Sequence, residues 1–297
     1  MSRIEKALEQ AARMRGSMGT ADHASSLQAL RGTYDASVFQ TAGGGVDQAA
    51  VDRHIVCITD PLSTAAEEYR KLRARIFKAT EKNFLNTIMV TSSQSGEGKS
   101  ITAINLAVAI AHELDHTVLL IDADLRKPSI HTYLGLTPRY GLSDYLTSNR
   151  ELPELLVKTG IGKLVLLPAG EPPKNPSELV ASERMRALVR EVKQRYGDRY
   201  IVFDSPPLLM AADAMSLCDY MDGILFVVQA ARTTPKVATQ ALSSVKNYNI
   251  LGTVFNDIPK DLAQNLYPYY YRGQFSAPAE IINGADGGQH EADPKVA

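Results

Sequence analysis

With 297 residues the chain is long enough to bury a full core, as one large domain or two small ones. A formal net charge of -1, with 44% hydrophobic and 22% charged residues, is ordinary for a globular protein and excludes a nucleic-acid binder that relies on overall charge. Cys57 and Cys218 lack metal-type spacing and read as reduced core residues of a cytosolic protein. No apolar run approaches the ~18 residues of a membrane span, and the N-terminus lacks a signal peptide's apolar core. Membrane association is therefore expected to run through a partner or a surface helix.

Residues 2–15 place Ile4, Ala7, Leu8 and Ala11 on one helical face, with Ser2 and Glu5 spaced as a capping box. The stripe is narrow and alanine-rich, and it suits a docking helix, a membrane-surface helix or a frayed terminus. From Gly16 to about Asp52 the Gly, Ser, Ala and Thr content predicts a flexible linker, so residues 1–52 stand apart from the domain. A helix is predicted over Ser63–Ala79, with Glu67, Arg70 and Arg73 three apart on one face. That face is either solvated and laced with ion pairs or a charged self-association surface.

Thr87–Pro128 is the stretch around which the chain is organised. Ile88-Met89-Val90 has the apolar character of a buried strand. The segment Ser93-Gln94-Ser95-Gly96-Glu97-Gly98-Lys99-Ser100 then has the spacing of a phosphate-binding loop, with Ser93 where the pattern has its first glycine. Gly96 and Gly98 let successive N–H groups turn toward phosphate oxygens, and the following helix adds its positive N-terminal end. Lys99 reaches toward the β- and γ-phosphates, and the Ser100 hydroxyl suits Mg2+. The expected cofactor-binding set is thus Ser95, Gly96, Glu97, Gly98, Lys99, Ser100 and Ile101, for a nucleotide with Mg2+.

A helix over Ile101–Leu114 leads to the apolar strand Val118–Ile121, which ends in Asp122-Ala123-Asp124-Leu125-Arg126. Asp122 and Asp124, at a strand's carboxyl end beside the loop, suit magnesium; a helix cap or turn is the plainer reading. Tyr140–Leu156 reads as a short helical region and Lys163–Leu167 as a strand. A loop stiffened by four prolines follows, and Ser177 is the expected cap of a helix running to about Arg195. The strand Tyr200–Phe203 closes on Asp204-Ser205-Pro206-Pro207, where Asp204 is a second acidic element for the metal. Ala211–Tyr220 (helix), Gly223–Gln229 (strand), Pro235–Tyr248 (helix) and Gly252–Phe255 (strand) complete the alternation. Asn256, closing the last strand, carries an amide suited to an adenine edge. Such alternation predicts an α/β fold with a mostly parallel sheet covered on both faces, over residues 53–259. In the tail, 260–297, Tyr267, Tyr269, Tyr270 and Tyr271 cluster around Pro268. They suit either interface contacts or phosphorylation.

The loop Ser93–Ser100, the run Leu119–Arg126 and the strand ending Asp204-Ser205-Pro206-Pro207 occur in an order that resembles the bacterial tyrosine kinases controlling polysaccharide export and chain length. So do Pro168-Ala169-Gly170 through Asn175-Pro176-Ser177-Glu178-Leu179, Glu67-x-x-Arg70-x-x-Arg73 and the terminal tyrosine cluster. The resemblance covers roughly residues 55–272 and is greatest to the exosortase-associated branch, whose kinase and membrane co-polymerase are separate chains. It implies a P-loop domain that transfers the γ-phosphate of ATP to Tyr267, Tyr269, Tyr270 and Tyr271 of a neighbouring copy. Lys99 would stabilise the transferring phosphate, Ser100, Asp122 and Asp204 would hold Mg2+, and Asp124 would serve as base or hydrogen-bond partner of the phenol. Glu67, Arg70 and Arg73 would build a homo-oligomeric ring. A polysaccharide co-polymerase at the inner membrane would be the activating partner, a tyrosine phosphatase is possible, and no nucleic acid is expected. The competing reading is a partitioning or septum-type switch ATPase, whose loop has a lysine where Gln94 stands here. A nucleotide-sensing scaffold is the third.

Overall fold

A computed structural model describes residues 45–195 and 198–259, and its first compact unit ends at Asp257. The N-terminal helix and the tyrosine cluster lie outside the described residues. In order, the elements are α1 (Val56–Thr59), α2 (Thr64–Thr80), β1 (Thr87–Ser92), α3 (Lys99–Ala111), β2 (Thr117–Asp122), α4 (Ile130–Tyr133), α5 (Leu142–Thr147) and α6 (Leu152–Leu155). They continue with β3 (Val157–Lys158), β4 (Leu164–Leu167), α7 (Pro176–Val180), α8 (Glu183–Arg195), β5 (Arg199–Asp204), α9 (Ala212–Cys218), β6 (Gly223–Gln229), α10 (Pro235–Ser244) and β7 (Ile250–Asn256).

The sheet has seven strands in the order β3-β4-β2-β5-β1-β6-β7. Every pairing is parallel except β3 with β4, where Val157 faces Leu166 and Lys158 faces Val165 in an antiparallel edge. The inner strands carry unbroken apolar runs at their centres because both of their faces are covered. Ile88, Val90, Val118, Leu120 and Val202 point to one layer, where they meet Ala66 and Ile76 of α2 and Ala103, Ile104 and Ala107 of α3. Met89, Leu119, Ile121 and Phe203 point the other way, onto Met185 and Leu188 of α8, Ala214 and Leu217 of α9, and Ala241 of α10. Burying each such large side chain contributes about 1.5–3 kcal/mol, so the phosphate loop hangs from a strand whose residues are all buried. Cys57 and Cys218 are both buried and unpaired.

Element boundaries depart from the sequence reading where local polar contacts intervene. Ser177 does not cap a helix. Asn175 is the N-cap residue, Pro176 takes the first turn, and the Ser177 hydroxyl bonds Asp213 instead. The helix expected over Ser177–Arg195 is two helices, broken at Ala181 and Ser182. The Ser182 hydroxyl accepts the Met185 N–H at 3.2 Å and so starts α8. The helical region after Tyr140 is likewise two short pieces, α5 and α6. Helix α3 stops at Ala111, three residues early, where the Ala111 carbonyl accepts the Lys163 N–H. Helix α10 ends at Ser244 rather than Tyr248.

Candidate active site

Strand β1 delivers the chain into the loop at Ser93, and α3 receives it at Lys99. Gly96 and Gly98 have φ of 85° and 93°, in the left-handed region that favours glycine. Ser93, the departure from the glycine pattern, has no positive φ and is fully buried, so a side chain is tolerated there. Ser95 and Gly96 are exposed at the crest. Ile101 packs into the α2/α3 layer.

Glu97 is buried, and its side chain shapes the loop. One carboxylate oxygen accepts the Gln94 N–H at 2.8 Å and the other accepts the Thr233 hydroxyl. Asn256, at the end of β7, donates its amide N–H to the Glu97 carbonyl at 3.1 Å. A Cβ on Gly98 would lie 1.9 Å from that amide nitrogen. Asn256 is therefore seated against the loop backbone, bracing the turn from which Lys99 emerges.

The Lys99 ammonium is buried 2.8 Å from an Asp124 oxygen and 3.5 Å from Asp204, and it donates to the Ser100 hydroxyl at 3.2 Å. Burial disfavours its charge, but Asp204 and Asp124 outweigh that and hold its pKa above the usual lysine value. Asp122 and Asp204 sit opposite each other in the β2–β5 register, both fully buried. Asp122 Oδ2 accepts the N–H groups of Ser129 and Ile130, each at 3.1 Å, anchoring α4. Asp122 Oδ1 and Asp204 Oδ2 are buried without a hydrogen-bond partner. Burial pushes the Asp122 carboxyl up, the Asp204 charge adds to this, and the two N–H bonds and Lys99 oppose it. Burial also pushes Asp204 up, against Lys99 and the Ser100 hydroxyl. Asp124 is committed to Lys99 and to the Lys127 N–H rather than standing alone as a base.

The other anticipated residues are in a separate place, on α2. Glu67 and Arg70 pair at 2.6 Å, with side chains 41% and 37% exposed. Arg73 is only 19% exposed. It bonds Glu113 at 2.5 Å and the Ala109 carbonyl at 3.0 Å, satisfying the C-terminal end of α3.

Taken together, the loop, its lysine and two facing strand-end carboxylates make a nucleotide site. The CobQ/CobB/MinD/ParA nucleotide binding domain family matches residues 88–282. Tyrosine-protein kinase YwqD of Bacillus subtilis (strain 168) is 36% identical over 224 residues, 74% of this chain and 92% of its own length. The chain belongs to the bacterial tyrosine kinases. Among solved structures, the kinase domain of Escherichia coli tyrosine kinase ETK superposes with a TM-score of 0.66 at 30% identity, covering 69% of this chain and 80% of that one. The chimerical protein CapA2B2 does so with a TM-score of 0.65 at 29% identity, covering 70% and 91%. The mostly parallel sheet expected from the alternation of elements is the fold of this family.

Sequence reasoning missed several residues of this kinase-family site. Thr233 and Arg232 come from the β6–α10 turn. Arg232 bonds Gln229 at 3.1 Å and lies 3.5 Å from where a Gly96 side chain would begin. Ala231 beside them has φ of 60°, a signal invisible in a sequence because alanine does not advertise it. Arg126, Asp213 and Ser177 form a clasp at the edge of the site, with Asp213 87 positions from Arg126 in sequence.

Proposed function

We propose that this chain is an ATP-dependent protein-tyrosine kinase that phosphorylates the clustered tyrosines Tyr267, Tyr269, Tyr270 and Tyr271 of a neighbouring copy. The observation that carries the reading is the buried Lys99 ammonium held between the ends of β2 and β5, in a chain whose relative YwqD is named a tyrosine-protein kinase. The loop sequence disfavours the switch ATPase, because Gln94 stands where that class has its loop lysine.

The donor set fits Mg2+. Asp122 and Asp204, opposite each other at two strand ends, each keep one buried oxygen without a hydrogen-bond partner, the Ser100 hydroxyl acts on Asp204, and magnesium is held by one or two carboxylates plus substrate phosphates. When bound, the ion supplies charge neutralisation to the β- and γ-phosphates. The loop N–H groups and Lys99 bind and orient those phosphates. Lys99 then exchanges part of its contact with Asp124 for a phosphate oxygen, which leaves Asp124 close to an incoming phenol. A tyrosine pKa near ~10 makes that positioning as important as deprotonation.

Glu67 and Arg70 are the partly exposed members of the α2 trio, and in this reading they meet a neighbouring copy, with Arg73 tying that face to α3. The setting is exopolysaccharide production, with a membrane co-polymerase as activator. Among the described residues no helix is long and apolar enough to cross a membrane. Transfer between copies is tested by mixing a Lys99→Met chain, tail intact, with a chain carrying Phe at 267, 269, 270 and 271. Phosphate on the Lys99→Met chain, read by mass, is expected. Its absence from the mixture, where wild type labels itself, would show transfer within one copy.

A further inference from the structure

Beyond β2 the chain passes over the carboxyl edge of the sheet, and Arg126 stands two residues after Asp124. Its side chain is 45% exposed, yet its guanidinium is fixed. Nε donates to Asp213 Oδ2 at 2.8 Å, and Nη2 donates to Asp213 Oδ1 at 3.0 Å and to the Ser177 hydroxyl at 2.8 Å. The Ser177 hydroxyl in turn donates to Asp213 Oδ1 at 2.5 Å. Asp213, in the first turn of α9, is fully buried, and Ser177 belongs to the Asn175–Leu179 motif that the nucleotide site leaves unexplained.

Burying a carboxylate is costly, and a bidentate arginine is the arrangement that satisfies it while fixing the guanidinium plane. If the clasp served only to join α7, α9 and the loop after β2, a buried apolar contact would do so at lower desolvation cost. Instead it uses Nε and Nη2, so the Nη1 amino group takes no part in the clasp, on a side chain two residues beyond the Asp124 that pairs with Lys99. The Asp213 bonds hold the Arg126 guanidinium charged, and the Asp124 charge adds to this.

We propose that Asp213 and Ser177 are positioning residues, holding Arg126 so that its Nη1 amino group takes up the charge that develops on the phosphoryl group as it leaves ATP. In that step the bond from the β–γ bridging oxygen to the γ-phosphorus breaks, and a bond from the acceptor oxygen to that phosphorus forms. The acceptor's proton passes to a carboxylate base, Asp124 in the reading above, ADP departs with the bridging oxygen, and Arg126 stays protonated throughout. The inference rests on the ATP chemistry proposed above and not on tyrosine as the acceptor.

The test uses the full chain with Arg126→Ala, Arg126→Lys, Asp213→Asn, Ser177→Ala and the Arg126→Ala/Asp213→Asn pair. Turnover is read both as added mass and as free phosphate, beside affinity for ADP with aluminium fluoride, which mimics the phosphoryl group in flight, and thermal melting. Arg126→Ala should lower kcat about 100-fold and weaken the ADP–fluoride complex similarly, with ADP affinity and the KM for ATP within about threefold of wild type. Arg126→Lys should not restore the rate, because an ammonium cannot take up the fork. Asp213→Asn should lower kcat about tenfold and add nothing in the Arg126→Ala background. A loss from Asp213→Asn that persists in full in that background, or unchanged ADP–fluoride affinity in Arg126→Ala, would overturn the proposal. Where Asp213→Asn does not fold, the milder Ser177→Ala decides, since a wild-type kcat there contradicts the clasp. Phosphate release without labelled tyrosine would count against the kinase reading alone, and the same ratios would still judge Arg126.

Discussion

A methyl group at residue 98 would fall 1.9 Å from the Asn256 amide nitrogen, on a backbone with φ of 93°. Gly98→Ala should therefore misplace Lys99 through two separate effects, the left-handed strain of ~1–2 kcal/mol and the clash with Asn256. Nucleotide affinity measured by titration is expected to fall at least about tenfold, and adding Asn256→Ala should recover only the part due to the clash. A second residue-scale prediction concerns Asp122. Its pKa is raised in the fold, so the acid form stabilises the nucleotide-free protein at low pH, and that stability is lost as pH rises through the folded value. Asp122→Asn should then raise the Tm of nucleotide-free protein at pH 8, show little gain at pH 5, and abolish Mg2+-dependent turnover. A Tm gain that does not depend on pH would contradict the assignment. The glycines, Lys99 and the strand-end aspartates were legible in the sequence because their spacing within a few residues carries the chemistry. The Glu97–Thr233 and Arg126–Asp213 contacts were not, since they join positions 136 and 87 apart and only the assembled sheet brings them together.

At the scale of elements, β1 is fastened at its amino end by Asp222. One oxygen of that carboxylate accepts the Asn86 and Thr87 N–H groups, each at 3.1 Å, and the Thr87 hydroxyl at 2.7 Å, while the other pairs with Lys193. Burial works against the Asp222 charge, but Lys193 and Thr87 prevail and hold its pKa below the usual carboxylate value. The stability it contributes is thus present above the ordinary value of 3.8 and lost as pH falls through the lower folded value. Asp222→Ala should cost about 2–4 kcal/mol at pH 7 in denaturant unfolding, and the gap to wild type should close in acid below pH ~4. Helix α3 is fastened differently. Asn105 accepts the Cys57 N–H at 2.9 Å and donates to the His54 carbonyl, and Arg73 holds its far end. The inner strands were readable as unbroken apolar runs because helices cover both of their faces. The antiparallel β3 edge was not, being two residues whose pairing only the Leu164–Leu167 strand makes possible. The break at Ser182 escaped notice for a related reason: a serine hydroxyl starts a helix only if the preceding turn presents it to the right N–H.

For the whole molecule, the resemblance read from motif order and the family shown by comparison coincide. What the sequence could not settle was how the α2 trio divides, with Glu67 and Arg70 partly exposed and Arg73 turned inward onto α3. A contact made by a neighbouring copy on α2 would thus bear on a helix that Arg73 ties to α3, which begins at Lys99. Phosphoryl transfer from ATP to the tail tyrosines is the activity proposed for this chain. It is tested most directly by intact mass after incubation with ATP and Mg2+, with and without the cytoplasmic segment of a candidate co-polymerase. Wild type is predicted to gain phosphates, Lys99→Met to gain none, and the chain with Phe at 267, 269, 270 and 271 to lose nearly all of them. Free phosphate released by wild type with no added mass, even with the partner segment present, would contradict the account.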